Sequence, residues 1–141
     1  MPQTYSQTHW SLADLFPASD APELAQAFVE LEEKTVALEA RRALLTPGIS
    51  PDDFMAIVKL LEEINRVANK IGYYGMLWFS SNTQDQAAQN FQARVDQQMA
   101  LIQNRLLFFE LWWKDLDEEE SRRLLQGAGE YRYWLEEMRL F

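Results

Sequence analysis

The chain contains no cysteine and a single histidine, His9. The first absence removes disulfides, thiolate nucleophiles and every zinc site that needs sulfur, and it fits a reducing compartment. The second removes zinc hydrolases of the H-E-x-x-H type, which need two histidines one helical turn apart, and leaves a Ser/His/Asp triad an unfavourable reading. Positive charge is also scarce. Lys plus Arg number 13 against 22 Asp plus Glu, a net charge of −9, which repels phosphate backbones instead of recruiting them. No run approaches the roughly 18 to 20 apolar residues of a bilayer span. Met1 to Trp10 carries no basic residue followed by an apolar stretch, so it does not read as a secretory signal. The expectation is a cytoplasmic protein with neither nucleic acid nor membrane as partner, and its 141 residues predict one domain.

Glycine and proline number only five each, and that scarcity predicts long helices. The first begins near Asp20-Ala21-Pro22-Glu23, a cap with proline in the first turn, and ends before Thr46-Pro47-Gly48. Leu24, Phe28, Leu31, Thr35, Leu38, Arg42 and Leu45 recur in steps of four and three, with Thr35 and Arg42 as flaws in the seam. The second opens at Ser50-Pro51-Asp52-Asp53 and carries Phe54, Ile57, Leu61, Ile64, Ala68, Ile71, Gly75 and Trp78, flanked by Leu60, Val67 and Tyr74. Gly72 and Gly75 read as positions of close packing. Thr83-Gln84-Asp85-Gln86 reads as a capping box for a third helix, whose inner face is Ala88, Phe91, Val95, Met99, Ile102, Leu106, Phe109 and Trp113. Asp117 to Glu120 caps a short fourth helix that stops at Gly127-Ala128-Gly129, and Tyr131 to Phe141 starts another. Short connections make consecutive helices antiparallel. The predicted fold is therefore an all-α antiparallel bundle of three long helices plus one or two short C-terminal ones over residues 20–141, with an extended segment 1–19 docked on it.

Few side chains offer chemistry. His9 reads as a packing or solvated residue, with no partner in helical register. Glu62, Glu63 and Glu110 cannot form a ferritin-like di-metal site, because no helix contains the required histidines. Asp115 to Glu120 lacks the glycine and alternating oxygen ligands of a calcium loop and reads as a helix start. No catalytic or metal-ligating residue is assigned. Trp10, Leu12, Leu15 and Phe16 fasten the leading segment to the bundle, each side chain burying about 1.5 to 3 kcal/mol of transfer free energy. Leu106 to Trp113 is apolar at every position but Glu110, so this stretch is hydrophobic around its whole circumference. Tyr131, Trp134, Leu135, Met138 and Phe141 add a second apolar face. Either a fifth element folds over the third helix, or the surface docks more protein; both hold if Trp134 covers Trp112 while Met138 and Phe141 remain for a partner. Trp112, Trp113, Trp134, Met138 and Phe141 are the candidate interface.

Trp10-Ser11-Leu12-Ala13-Asp14-Leu15-Phe16 resembles the W-x-L-x-D-L-[FY] opening of oligoendopeptidase F and its relatives among the thimet-oligopeptidase-like zinc metallopeptidases. Tyr74 to Asp85 is similar to that family's helix-to-helix junction, an aromatic, small-residue helix end followed by a polar turn ending in Thr-x-Asp. Leu106-Leu107-Phe108-Phe109-Glu110-Leu111 resembles the l-x-F-F-x-L run that follows. The resemblance covers essentially the whole chain and rests on the order and spacing of the segments. It implies the non-catalytic N-terminal helical domain of such a peptidase, cut before its catalytic domain, shaping or gating the channel that admits short peptides. The family's zinc, held by H-E-x-x-H and a later glutamate, would then belong to the parent enzyme. The rival expectation is a free-standing helical interaction module that uses its aromatic end to hold another protein or a second copy of itself. A small-molecule-binding bundle has no polar constellation to support it.

Overall fold

The computed structural model describes residues 22–140, and almost all of them are helical. The elements are α1 (Pro22–Ala40), a 3-10 turn (Arg42–Leu44), α2 (Pro51–Ser81), α3 (Gln86–Asp115), α4 (Glu118–Gln126), a second 3-10 turn (Gly129–Tyr131) and α5 (Arg132–Leu140). No strand occurs among the described residues. The fold is an all-α antiparallel bundle of three long helices and two short ones. The proposed tail anchors Trp10, Leu12, Leu15 and Phe16, together with His9, the Asp20 cap and Phe141, lie outside the described residues.

Local chemistry sets most helix ends where the sequence puts them. The Ser50 hydroxyl accepts a hydrogen bond from the Asp53 amide at 3.1 Å, and Pro51 opens α2. Asp117 caps α4 by accepting from the Glu120 amide at 2.9 Å. Gly129, at φ 55°, supplies the left-handed turn between α4 and α5. Two ends differ from expectation. α1 stops at Ala40, and the Leu44 and Leu45 amides reach only three residues back, to Arg41 and Arg42 at 2.9 and 3.0 Å. Pro47 bars Thr46 from helical geometry and so sets an outer limit on the helix, but the α-helical bonds already give way after Ala40, where the chain tightens into the 3-10 turn. Arg42 therefore leaves the seam and lays its guanidinium over the Phe108 ring, 5.0 Å from the centroid. At α3 the cap is Asp85, not Thr83. Its carboxylate accepts from the Ala87 and Ala88 amides at 2.9 and 3.4 Å.

Contacts separate the chain into two units, the three long helices contributing to each. One joins the described part of Met1–Glu33 to Asn65–Leu101, and the other joins Lys34–Ile64 to Ile102–Phe141. The first buries Leu24, Leu31, Val67, Ile71, Tyr74, Ala88, Phe91 and Val95. Phe91 is its centre: Phe28 meets it edge-on at 6.4 Å and Tyr74 at 5.6 Å, and Trp78 lies 5.6 Å away. The Arg94 guanidinium roofs Phe28 at 4.8 Å. The second buries Leu38, Phe54, Ile57, Val58, Ile64, Phe109, Trp113, Leu124 and Leu135, and with them Thr35, fully enclosed although polar.

Polar clamps tie the helices within the second unit. Lys34 pairs with Glu63 at 2.9 Å, joining α1 to α2. Arg105 holds Glu39 through two hydrogen bonds of 2.7 and 3.1 Å, joining α3 to α1. Arg123 of α4 donates to the carbonyls of Pro47 and Ile49 at 3.2 and 2.9 Å while pairing with Glu120 at 3.0 Å. The Arg105 guanidinium, by hydrogen bond and then by charge, holds the Glu39 carboxyl below its ordinary value of 4.5. A carboxyl lowered in the folded state contributes stability above its unfolded pKa and loses it as pH falls through the folded one. Because both side chains are partly exposed, Arg105→Ala should cost only about 0.5–1 kcal/mol at pH 7. Urea midpoints of variant and parent should converge once the carboxyl is protonated, below the carboxylate range; an unchanged gap at pH 2.5 would remove the charge from the account.

Candidate functional site

Two places concentrate side chains beyond ordinary core needs. The first, in the second unit, is the aromatic cluster where α5 meets α3. Phe54 from α2 lies 5.2 Å from Trp113, 6.0 Å from Trp112 and 6.2 Å from Phe109. Trp113 is 0 % exposed. Its indole Nε1 donates to the Leu135 carbonyl at 2.8 Å, so the ring's one polar atom is satisfied inside the core. From the α5 side Arg139 places its guanidinium 5.4 Å from the Trp113 ring centroid and donates to the Trp113 carbonyl. α5 thus folds over the end of α3 and seals it.

This arrangement redistributes the candidate interface residues. Trp113 is a core residue. Trp112 is partly buried against Phe54 and Phe109. Trp134 is also partly buried, with Tyr131 as its ring neighbour at 6.5 Å, where the sequence had suggested Trp112. The Tyr131 hydroxyl donates to Glu62 at 3.1 Å and fixes that turn to α2. Met138 is partly buried. The side chains that do reach solvent are others: Leu107 and Leu111 on α3, and Tyr133 and Leu140 on α5, the last two 72 % and 75 % exposed. A helical wheel anchored on buried Leu135 would have put Tyr133 and Leu140 on the outer face, since residues seven apart share a side of the helix.

Beside those two residues α4 and α5 enclose an open groove of about 500 Å³. Glu118, Ser121, Arg122 and Leu125 line it from α4; Tyr133, Glu137 and Leu140 line it from α5. The Glu137 side chain, by hydrogen bonding first and then by its charge, raises the Tyr133 phenol above its ordinary pKa of 10.0.

The second place, in the first unit, is the α2–α3 junction from Tyr74 to Asp85. Gly75 is packed so closely that a Cβ there would stand 2.8 Å from Gln92 Oε1 and 3.3 Å from Phe91. Gln92 Oε1 is buried and accepts no hydrogen bond. Gly72, by contrast, has open space where a Cβ would be, so close packing holds for one glycine of the pair. Asp85 uses one oxygen as the α3 cap and accepts the Trp78 indole hydrogen on the other at 3.2 Å. One carboxylate thereby ties the end of α2 to the start of α3.

Neither place carries a catalytic constellation. No group of three or more His, Cys, Asp or Glu residues that could hold a metal ion exists among the described residues, and none of their helices is long and apolar enough to cross a membrane. No protein-family model, curated protein or solved structure matches the chain.

Proposed function

We propose that this chain is the non-catalytic helical N-terminal domain of an oligoendopeptidase F-like zinc metallopeptidase, and that it shapes or gates the channel admitting short peptides. The observation that carries this reading is the order and spacing of three segments: Trp10 to Phe16, Tyr74 to Asp85, and Leu106 to Leu111. The middle one coincides with a tightly built junction, where Gly75, Trp78 and Asp85 fix one long helix on the next. A rigid helical wall suits a part that restricts access by shape and leaves bond cleavage to residues elsewhere.

The chain's own donor set does not suit zinc. Its lone histidine cannot form H-E-x-x-H, so under this reading the metal and the water-activating glutamate belong to the catalytic domain of the same polypeptide. Its partners are that domain and, in the whole enzyme, short peptides. The test is the reading frame past Phe141. An in-frame H-E-x-x-H with a later glutamate supports the proposal, and deleting the helical domain from that enzyme should then relax the discrimination between short peptides and longer unfolded chains. A frame that closes at Phe141, or an enzyme whose size selectivity ignores the deletion, overturns it.

A further inference from the structure

We infer that the outward stripe of α2 formed by Arg66, Lys70, Tyr73 and Leu77 is the seat of the chain's own leading segment, residues 10–16. This inference rests on charge and reach and does not depend on the peptidase reading. The four positions follow one another in steps of four, three and four, so they share one side of the helix. Arg66 and Lys70 are exposed, Tyr73 is 49 % exposed and Leu77 is half-buried. The stripe therefore offers two cations beside an apolar, aromatic end. Among the described residues the Arg66 guanidinium makes no ion pair.

Charge selects this face within the first unit. The part of α2 that belongs to it, residues 65–81, carries Arg66 and Lys70 and neither Asp nor Glu. The matching part of α1 is the reverse: Glu23, Glu30, Glu32 and Glu33 accompany exposed Val29, with no cation. On the matching part of α3, Arg94 is set against Asp96 and lies over the Phe28 ring. Residues 1–21 hold Asp14 and Asp20 and no Lys or Arg, and Asp14 stands between Leu12 and Leu15 in a segment that also bears Trp10 and Phe16. An acidic, apolar segment is repelled by the α1 face and drawn to the α2 stripe. There Asp14 meets the cations, and the large side chains gain Tyr73, Leu77 and the faces of the cations themselves.

The covalent link makes that seat accessible. Phe16 stands six residues ahead of Pro22, a span of at most about 20 Å, and Trp10 stands twelve ahead, about 40 Å. Phe28 and Tyr74 both close on Phe91, so Tyr73 is level with a point on α1 six residues, or about 9 Å, from Pro22. Neighbouring helices lie about 8–10 Å apart. The stripe is thus within reach of the segment, and so short a tether keeps its local concentration high, where a separate molecule would have to compete by affinity alone.

The test uses the absence of native cysteine. A nitroxide on Ala13→Cys, or on Ser11→Cys as a second attachment point, bleaches nearby amide signals in the spectrum of the full ¹⁵N-labelled chain. Loss should be strongest at Arg66, Lys70, Tyr73 and Leu77. A tethered segment without a seat would instead bleach amides in order of their distance from Pro22, the first turn of α1 most. Arg66→Glu with Lys70→Glu should lower the ratio of seated to free segment about tenfold, because exposed attractions become repulsions, and adding Asp14→Lys should restore it. The same spectra report whether the bundle persists. Loss centred on α1 or α3, reversed charges that leave the pattern unchanged, or failure of Asp14→Lys to restore it would each overturn the inference. So would bleaching of the stripe when nitroxide and ¹⁵N are carried by different chains in a mixture, which would give the seat to a second copy.

Discussion

Replacing Trp113 by alanine should cost about 3–5 kcal/mol of unfolding free energy, the range for emptying a large aromatic site in a packed interior. The ring is wholly enclosed, stands 5.2 Å from Phe54, and joins α3 to α5 through its indole hydrogen. Two losses therefore add: a cavity beside Phe54, and a carbonyl of Leu135 without its indole donor. Trp113→Phe separates them. It keeps most of the ring contact and removes the donor, and should cost about 1 kcal/mol for the hydrogen bond plus a smaller packing loss. Urea unfolding followed by far-ultraviolet circular dichroism measures both, and amide exchange should quicken first in α5, whose seat is the Trp113 side chain. If alanine shifted the midpoint no more than phenylalanine, the cluster would not be the keystone of that unit.

The second large effect is expected at Gly75. A leucine there must push aside Phe91 and Gln92, and overpacking of this kind costs about 1–3 kcal/mol. The nearest atom, Gln92 Oε1 at 2.8 Å, is the end of a flexible side chain and can swing away. Phe91, at 3.3 Å, cannot do so cheaply, because it is held by Phe28, Tyr74 and Trp78. Gly72→Ala is the control: with open space at its Cβ position, it should gain up to about 1 kcal/mol from helix propensity and a stiffer unfolded chain. Opposite signs at two glycines three residues apart would assign the effect to neighbour contact. Matching signs would assign it to the helix backbone alone.

Those glycines also mark where sequence reasoning stops. Period and caps are local properties, so the starts at Pro51 and Glu118 and the seams through Phe54–Ile71 and Ala88–Trp113 were legible from residue type and spacing. Which glycine is crowded depends on Phe91 arriving from another helix, and nothing in the segment around Gly72 and Gly75 records that. α1 illustrates a second limit. Arg42 and Leu45 continue its periodicity, yet the helix ends at Ala40 and tightens into a 3-10 turn, which periodicity does not record. At the candidate site, the run Leu106–Trp113 correctly signalled more apolar surface than one face could hide. The partition of that surface came only with α5: Trp113 went inside, while Leu107, Leu111, Tyr133 and Leu140 stayed out.

The grip of Arg123 on the backbone of the α1–α2 connection reaches further than its modest size suggests. Its guanidinium holds carbonyls 76 and 74 positions away in the chain, so the order of that connection is lent by a helix synthesised long after it. A protease offered the chain during folding would find the Pro47–Ile49 bend open to attack until α4 had seated. The rate at which cleavage there is shut off would then time the arrival of α4, not the formation of the two helices the bend connects.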